Sequence, residues 1–411
     1  VDAPSGKITE FHSICHNQLP NSRVSEPRTD APDGPGGLDP DAVGAWLAQR
    51  CGTALPITVT PVVGGRSNLT SIVTGADGRR VVVRRPPLSG VLASAHDVVR
   101  EGTIMAALAG TGVPVPAVLG TEEDVAVTGA PFLVMAHVDG TVVRDVGVAA
   151  TLTSAQRHRL GLATARTLAA VHAVDVDVVG LGGLARRAGY LARQLARWAG
   201  QLERGSDRPL PVLEELARRL GGALPEQEEV ALVHGDFRLD NLIVHTGAGA
   251  DAEVDAEADA VAAVLDWELA TLGDPLADLG TLLAYWGVPA GDDGTPATVL
   301  LPGLPTALAG FPGPGELVGA YAAARGSDAE LLSERLRPYL AFAWFRIACI
   351  LEGVRVRTAA GAYGTATKAD GGSPGPVGEL ELLHGLVPAL GERAVALLDR
   401  SGPLGFDHEL T

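Results

Sequence analysis

From Ile57 to Val138 apolar residues recur mainly with period two, and after about residue 150 mainly with the spacing of α-helices. Ile57, Val59 and Val62-Val63 define a first strand that runs into Gly64-Gly65-Arg66-Ser67-Asn68. Leu69 to Thr74 and Arg80 to Arg85 form two more, joined at Asp77-Gly78. Asp-Gly between alternating apolar runs supplies the positive φ that a tight hairpin needs. Pro86-Pro87 stops the third strand, and a helix from Val98 to Leu108 carries Arg100 and Glu101 in its first turns. Val113-Pro114-Val115-Pro116 begins an extended stretch that includes Val125 to Val127, and Pro131 to Val138 is a further strand closed by Asp139-Gly140. This order predicts a small antiparallel-sheet lobe with one main helix.

Asp39-Pro40 caps an earlier helix with Val43, Trp46 and Leu47 on one face. Later helices are expected over Ser154–Val174, Gly189–Arg204 (with Tyr190, Arg193, Gln194, Arg197 and Trp198) and Pro211–Leu220. Two apolar runs interrupt the helical region. Ala231-Leu232-Val233 precedes His234-Gly235-Asp236, and Val264-Leu265 precedes Asp266-Trp267-Glu268. Two short buried strands, each delivering a carboxylate to the same edge, would explain both. The fold class is therefore α+β, with a sheet lobe over 39–138 and a larger, mostly helical lobe over 139–411. Residues 1–38, rich in Pro, Gly, Ser and Asp, read as a flexible tail, and the acidic run 246–260 as a hairpin tip. Pro/Gly-rich loops are expected at 287–315 and 361–378.

Composition narrows the class. A chain of 411 residues with 46% apolar and 20% charged positions is globular. Its most apolar helical run, Tyr339 to Val354, is interrupted by Arg346 and Glu352 and is too short to span a bilayer. A net charge of -17 argues against nucleic acid or an anionic membrane as partner. Cys15, Cys51 and Cys349 lack metal-ligand spacing, which fits a reducing compartment; with no basic-then-apolar leader at the start, a cytoplasmic protein is expected.

The two acid-bearing runs suggest the chemistry. Phosphoryl transfer needs one acid to orient a hydroxyl, and an amide with a second acid to hold magnesium. Asp236 fits the first role; Asn241, five residues on, offers an amide oxygen, and Asp266 a charged metal ligand. Glu268 is a further candidate for the metal shell or the substrate. Strand parity places Val82 and Arg84 on one face and Val81, Val83 and Arg85 on the other, so one arginine points away from any nucleotide. Glu101 is the natural partner of Arg84. Metal-dependent hydrolysis through His234, Asp236 and His245 competes poorly, because those positions do not surround one ion.

His234-Gly235-Asp236-x-x-x-x-Asn241 followed by apolar residues and Asp266 resembles the aminoglycoside phosphotransferase-like branch of the protein-kinase fold. Residues 264–280 (Val-Leu-Asp-Trp-Glu-Leu-Ala-Thr-Leu-Gly-Asp-Pro-Leu-Ala-Asp-Leu-Gly) are similar to the subgroup fused to acyl-CoA dehydrogenases. Gly65-Arg66-Ser67-Asn68, Arg84-Arg85-Pro86-Pro87, Arg100-Glu101, 131–135 and the Gln194/Trp198 helix match it too. The resemblance implies a bilobal fold, ATP, Mg2+ and a small hydroxylated substrate. It implies that Gly65, Ser67 and Asn68 cover the phosphates and that Arg84, standing where the family has lysine, positions them with Glu101. It further implies that Met135, Ala136 and His137 form the adenine hinge. Arg238 either neutralises the transferring phosphate or pairs with Asp240. His234 and Asp278 brace the loop, and Asp274 caps a helix. Trp267-Glu268 replaces Phe-Gly and no Ala-Pro-Glu follows, which argues against a protein substrate. The acceptor is a hydroxyacyl-CoA or related hydroxy acid in one reading and an aminoglycoside in another. A nucleotide-binding pseudokinase is a third reading. Arg193, Arg197, Arg346, Arg355 and Arg357 could meet an anionic acceptor, whereas Glu352, Glu379 and Glu381 are the few acids that could meet a cationic one.

Overall fold

The computed structural model describes residues 37–62, 68–87, 97–245, 261–287, 301, 303–360 and 376–405. The tail over 1–36, the loop residues Gly65 and Ser67 and the acidic run 246–260 lie outside them, as do 361–375 and most of 288–302. The chain forms two compact units. Among the described residues, one holds 37–139 together with Ala262–Ala270; the other holds Gly140–Val261 and the chain from Thr271 onward.

The first unit is built on a five-stranded antiparallel sheet of order β1-β2-β3-β5-β4. Its strands are β1 (Thr58–Pro61), β2 (Leu69–Thr74), β3 (Arg80–Arg85), β4 (Val118–Glu122) and β5 (Phe132–Ala136). Helix α1 (Pro40–Cys51) covers one face: Val43, Trp46 and Leu47 pack on Val59, Val73, Val81, Val83, Phe132 and Val134. Trp46 meets Phe132 edge-on at 5.0 Å between ring centroids. Helix α2 (Val98–Leu108) lies on the other face, where a Cβ on Gly102 would sit 2.9 Å from both Leu133 and Thr121. The sheet thus carries a helix on each face, the helix capped by Asp39 and the main helix that begins at Val98.

The extended stretch expected from Val113 to Val127 contains β4 but ends earlier, at Glu122. Glu122 ends that strand by accepting from Trp46 Nε1 (2.9 Å) and from the Glu123 and Asp124 amides. Residues after it turn instead, with Gly129 N–H donating to Val125 O at 2.7 Å.

The second unit is helical: α3 (Val146–Ala150), α4 (Ser154–His172), α5 (Tyr190–Gly205), α6 (Pro211–Gly222), α7 (Pro275–Ala284), α8 (Pro314–Arg325), α9 (Ala329–Ala359) and α10 (Pro376–Leu398). Thr153 and Gln156 form a capping box on α4. Helix α9 is the central post, buried almost continuously from Tyr339 to Glu352. Gly280 lets α7 approach it: a Cβ there would lie 2.9 Å from the Tyr339 carbonyl carbon and oxygen.

The two apolar runs do not pair with each other as strands. β6 (Ala231–Val233) pairs antiparallel with β9 (Thr271–Gly273), with Leu232 opposite Leu272. β7 (Leu242–Val244) follows the first acid, and β8 (Val261–Val264) leads to Asp266. Val264 N–H donates to Pro114 O (2.8 Å), so the segment carrying Asp266 belongs with the sheet unit although sequence order places it among the helices. No helix among the described residues is long and apolar enough to cross a membrane.

Candidate active site

In the helical unit, β6 ends on a loop held from below by one carboxylate. Asp278, on the first turns of α7 and 1% exposed, accepts from His234 N (2.6 Å, Oδ2) and Gly235 N (2.9 Å, Oδ1). His172, the last residue of α4, adds Nε2 at 3.4 Å from Asp278 and places Nδ1 2.8 Å from the Tyr321 hydroxyl. Burial alone would push the Asp278 carboxyl up; hydrogen bonding and charge from His172, with the His234 and Gly235 contacts, hold it below the usual range. Gly235 has φ 86, a left-handed turn that glycine makes without strain. The loop then presents Asp236, whose Oδ2 accepts from Asn241 Nδ2 at 3.1 Å; the same nitrogen donates to Asp236 O at 2.8 Å. Since its nitrogen is committed, the oxygen of the Asn241 amide is the atom left to act as a hard ligand.

Arg238 is buried, gripped at two nitrogens by Asp240, with its guanidinium 4.5 Å from the Tyr285 ring centroid. Burial opposes its charge, but Asp240 and then Asp236 hold it well protonated. Of its two sequence readings, the Asp240 pairing is the one the geometry displays. His234 Nδ1 accepts from Asp236 N at 3.3 Å, and Asp274 caps α7 through Leu276 N while accepting from Tyr339 OH (2.7 Å).

The sheet unit carries a second set. Arg84 Nε lies 3.1 Å from Glu101 Oε2, and Nη2 lies 2.5 Å from Asp266 Oδ1 and 3.7 Å from Glu268 Oε2. Period two sends Arg85 to the other face, where it donates to Gly37 O (2.7 Å) and Pro86 O. Gly37 is required there, because a Cβ would fall 2.5 Å from the Arg85 guanidinium. Burial would lower the Arg84 pKa, but Glu101, Asp266 and Glu268 raise it above the ordinary value. Glu101 is pushed up, first by burial; Arg84 opposes that and the other two carboxylates add to it.

Asp266 is the one non-glycine residue with positive φ among the described residues (φ 65). Such a conformation costs on the order of 1–3 kcal/mol and persists where neighbours over-determine it. Here they do. Buried Trp267 donates Nε1 to Val264 O (3.0 Å), and Arg100 donates to Glu268 O (3.3 Å) and Ala270 O (2.5 Å). Asn68 donates to Glu268 Oε2 at 3.2 Å. The donor set suits magnesium. Asp266 and Glu268 present carboxylate oxygens beside Arg84, the hard donor type that magnesium takes.

The remaining predicted residues are less committed. Met135 and Ala136 end β5, and Ala136 N–H is already bonded to Ala117 O (2.8 Å). His137 Nδ1 lies 3.6 Å from exposed Asp139, and burial, then Arg80, lowers its pKa. Sequence reasoning missed His172, Tyr321 and the backbone contacts of Arg100. A lone histidine closing an apolar helix face was the available signal for the first. Among the described residues no three His, Cys, Asp or Glu side chains gather as a ready-made metal centre.

A sheet unit bearing an Arg–Glu pair beside an acid, and a helical unit bearing an Asp–Asn loop braced by a buried Asp, define a small-molecule kinase of protein-kinase-like fold. The chain belongs to the phosphotransferase enzyme family, which it matches over residues 58–339. It is 33% identical to acyl-CoA dehydrogenase family member 10 of Mus musculus over 90% of its length and 33% of that protein's. It is 36% identical to acyl-CoA dehydrogenase family member 11 of Gallus gallus, covering 73% of this chain and 37% of the relative. The chain therefore spans about a third of these curated relatives. Among solved structures, a candidate aminoglycoside phosphotransferase from Ralstonia eutropha superposes with TM-score 0.66 at 31% identity, over 87% of this chain and 99% of the other. The GDP and kanamycin complex of an aminoglycoside 2″-phosphotransferase shares the fold at TM-score 0.53 and 15% identity, over 85% and 98% of the two chains.

Proposed function

We propose that the chain is an ATP- and magnesium-dependent kinase that phosphorylates a hydroxyl of a small anionic molecule, a hydroxyacyl-CoA or related hydroxy acid. The observation that carries this reading is the Asp236–Asn241 loop together with the Arg84–Glu101–Asp266 cluster. Asp236 orients the acceptor hydroxyl and takes its proton as the oxygen attacks phosphorus. Asn241 holds the Asp236 carboxylate in place through its nitrogen, leaving its oxygen as the metal ligand the sequence assigns to the helical unit; Asp266 is the ligand assigned in the sheet unit. When bound, the metal neutralises charge on the phosphate oxygens. Arg84 directs its planar fork at the phosphates, kept charged by the surrounding acids. Asn68, Gly65 and Ser67 are assigned by sequence to covering the nucleotide, and Met135, Ala136 and His137 to reading its base.

An aminoglycoside acceptor is the second reading, and the Ralstonia eutropha relative speaks for it. A polyamine needs acids that are not already paired. Glu352, one of the three acids singled out for that role, accepts from Ser206, Arg208 and Arg355 and is spent on them. That favours an anionic acceptor, as do the names of the dehydrogenase relatives. An ATP-consumption assay across hydroxyacyl-CoAs, simple hydroxy acids and aminoglycosides decides between the two. Asp236→Asn is expected to lower kcat by about 10²–10⁴-fold. Nucleotide binding without turnover on any acceptor would replace this reading with that of a pseudokinase.

A further inference from the structure

One face of α5 gathers polar side chains around a buried indole. Tyr190, Gln194, Arg197 and Trp198 stand at i, i+4, i+7 and i+8, the spacing of a single helical stripe. Arg346 of α9 reaches the same place. Its guanidinium carbon lies 5.7 Å from the Trp198 ring centroid, and that of Arg197 lies 5.5 Å from it, so both arginines attend one indole. Trp198 is 2% exposed and its buried Nε1–H has no hydrogen-bond partner. Arg346 is 9% exposed, whereas Arg197 opens to solvent. No carboxylate pairs with either arginine among the described residues.

The neighbouring acids are engaged elsewhere. Asp278 is bound to the loop amides, and Asp274 to Leu276 N and Tyr339 OH. The other candidate arginines are engaged too: Arg355 holds Glu352 and Asp207, and Arg193 donates to the Ala188 and Arg186 carbonyls. Two guanidiniums and an indole N–H can only donate, and a buried charge without a counter-charge is costly. An oxyanion, which only accepts, is the complementary partner for such groups. Tyr190 links this stripe to the catalytic framework, because its ring packs on Gly273 of β9, 2.5 Å from where a Cβ would stand.

We propose that Arg197, Trp198 and Arg346 form an anion subsite that binds the phosphate or carboxylate group of the acceptor. The assignment to the acceptor rests on the kinase reading; the existence of the subsite does not. The test titrates the full chain with inorganic phosphate and with acetate at constant ionic strength, following the melting temperature and binding heat. Wild type and Arg84→Gln are expected to respond alike, which separates this site from the nucleotide phosphates. Arg197→Gln and Arg346→Gln are each expected to weaken the response about tenfold, the loss of one hydrogen bond to a charged group. Trp198→Phe should weaken it less. In anion-free buffer Arg197→Gln, at an exposed position, should melt no lower than wild type, since it removes a like charge. Wild-type anion affinity in both arginine variants would overturn the subsite. Once an acceptor bearing phosphate or carboxylate is in hand, both arginine variants should raise its KM about tenfold with kcat and the KM for ATP unchanged. An unchanged acceptor KM beside a lost phosphate response would overturn the assignment to the acceptor. Absence of kinase activity would sink the proposed function and leave the titration as the readout of the site.

Discussion

Replacing Asp278 by asparagine tests whether one buried carboxylate positions the catalytic loop. The side chain keeps its size, but one oxygen becomes an NH2 facing a backbone N–H. Of the two amide bonds at 2.6 and 2.9 Å, one must be lost. A hydrogen bond to a charged group contributes about 1.5–3 kcal/mol, and a buried donor left unpaired costs on the order of 1–3 kcal/mol. A net loss of about 2–4 kcal/mol follows, because Asp278 is 1% exposed and water cannot substitute. At about 2–4 °C per kcal/mol for a unit of this size, the melting temperature should fall by roughly 5–12 °C. The pH dependence has a definite sign. The folded Asp278 pKa lies below that of the unfolded chain, about 3.9, so its contribution is complete above that pH and disappears as pH falls through the folded value. The gap between wild type and Asp278→Asn should therefore be constant from about pH 6 to 8 and close below about pH 4. Scanning calorimetry across that range reads both quantities. Co-melting of variant and wild type at pH 7 would refute the brace, as would a gap that widens in acid.

Glu352→Gln should cost about 3–5 kcal/mol, since it leaves Arg208 and Arg355 without a shared acid; its folded pKa is lowered by Arg355, Arg208 and Ser206 against burial, so this deficit too should vanish below about pH 4, as denaturant titration would show. Gly280→Ala should destabilise by about 1–3 kcal/mol through the Tyr339 backbone, whereas Gly319→Ala on α8, with open space around it, should not; paired melts compare them. Asp266→Gly should be about 1 kcal/mol more stable than Asp266→Ala, because glycine adopts φ 65 freely, yet both should lack transferase activity. Arg84→Lys should keep more activity than Arg84→Gln, a comparison of kcat/KM for ATP that separates charge from fork geometry.

Much of this was legible in the chain. Period two in Arg80–Arg85 already required Arg84 and Arg85 to face opposite ways, and they do. The helices around Tyr190 and Val98 begin within a residue or so of their predicted starts because amphipathic spacing acts locally, aided at Val98 by the Asp97 cap. What failed was non-local. The strand before Asp266 was assigned to the helical unit by its place in the sequence, whereas Pro114, Arg100 and Arg84 hold it to the sheet. The end of β4 was placed too late because Val125–Val127 is apolar, whereas the strand stops where Glu122 meets a tryptophan 76 positions away.

The same distinction separates the arginines. In sequence, Arg193, Arg197, Arg346 and Arg355 are equivalent cations on helices. In the fold, Arg355 neutralises Glu352 and Arg193 satisfies carbonyls, so both contribute to structure. Arg197 and Arg346 instead flank an indole whose own N–H is unsatisfied. A folded chain gains nothing by gathering donors alone, so their placement is accounted for by what binds there. The same reasoning applies to Asp266, held in a strained backbone among carboxylates. On the proposed readings each feature is a local cost in the unliganded chain that a ligand of opposite character would offset: a cation at Asp266, an anion at Arg346. Removing Asp266 or Arg197 should therefore cost binding more than it costs folding, whereas removing Asp278 or Glu352 should unfold the protein first.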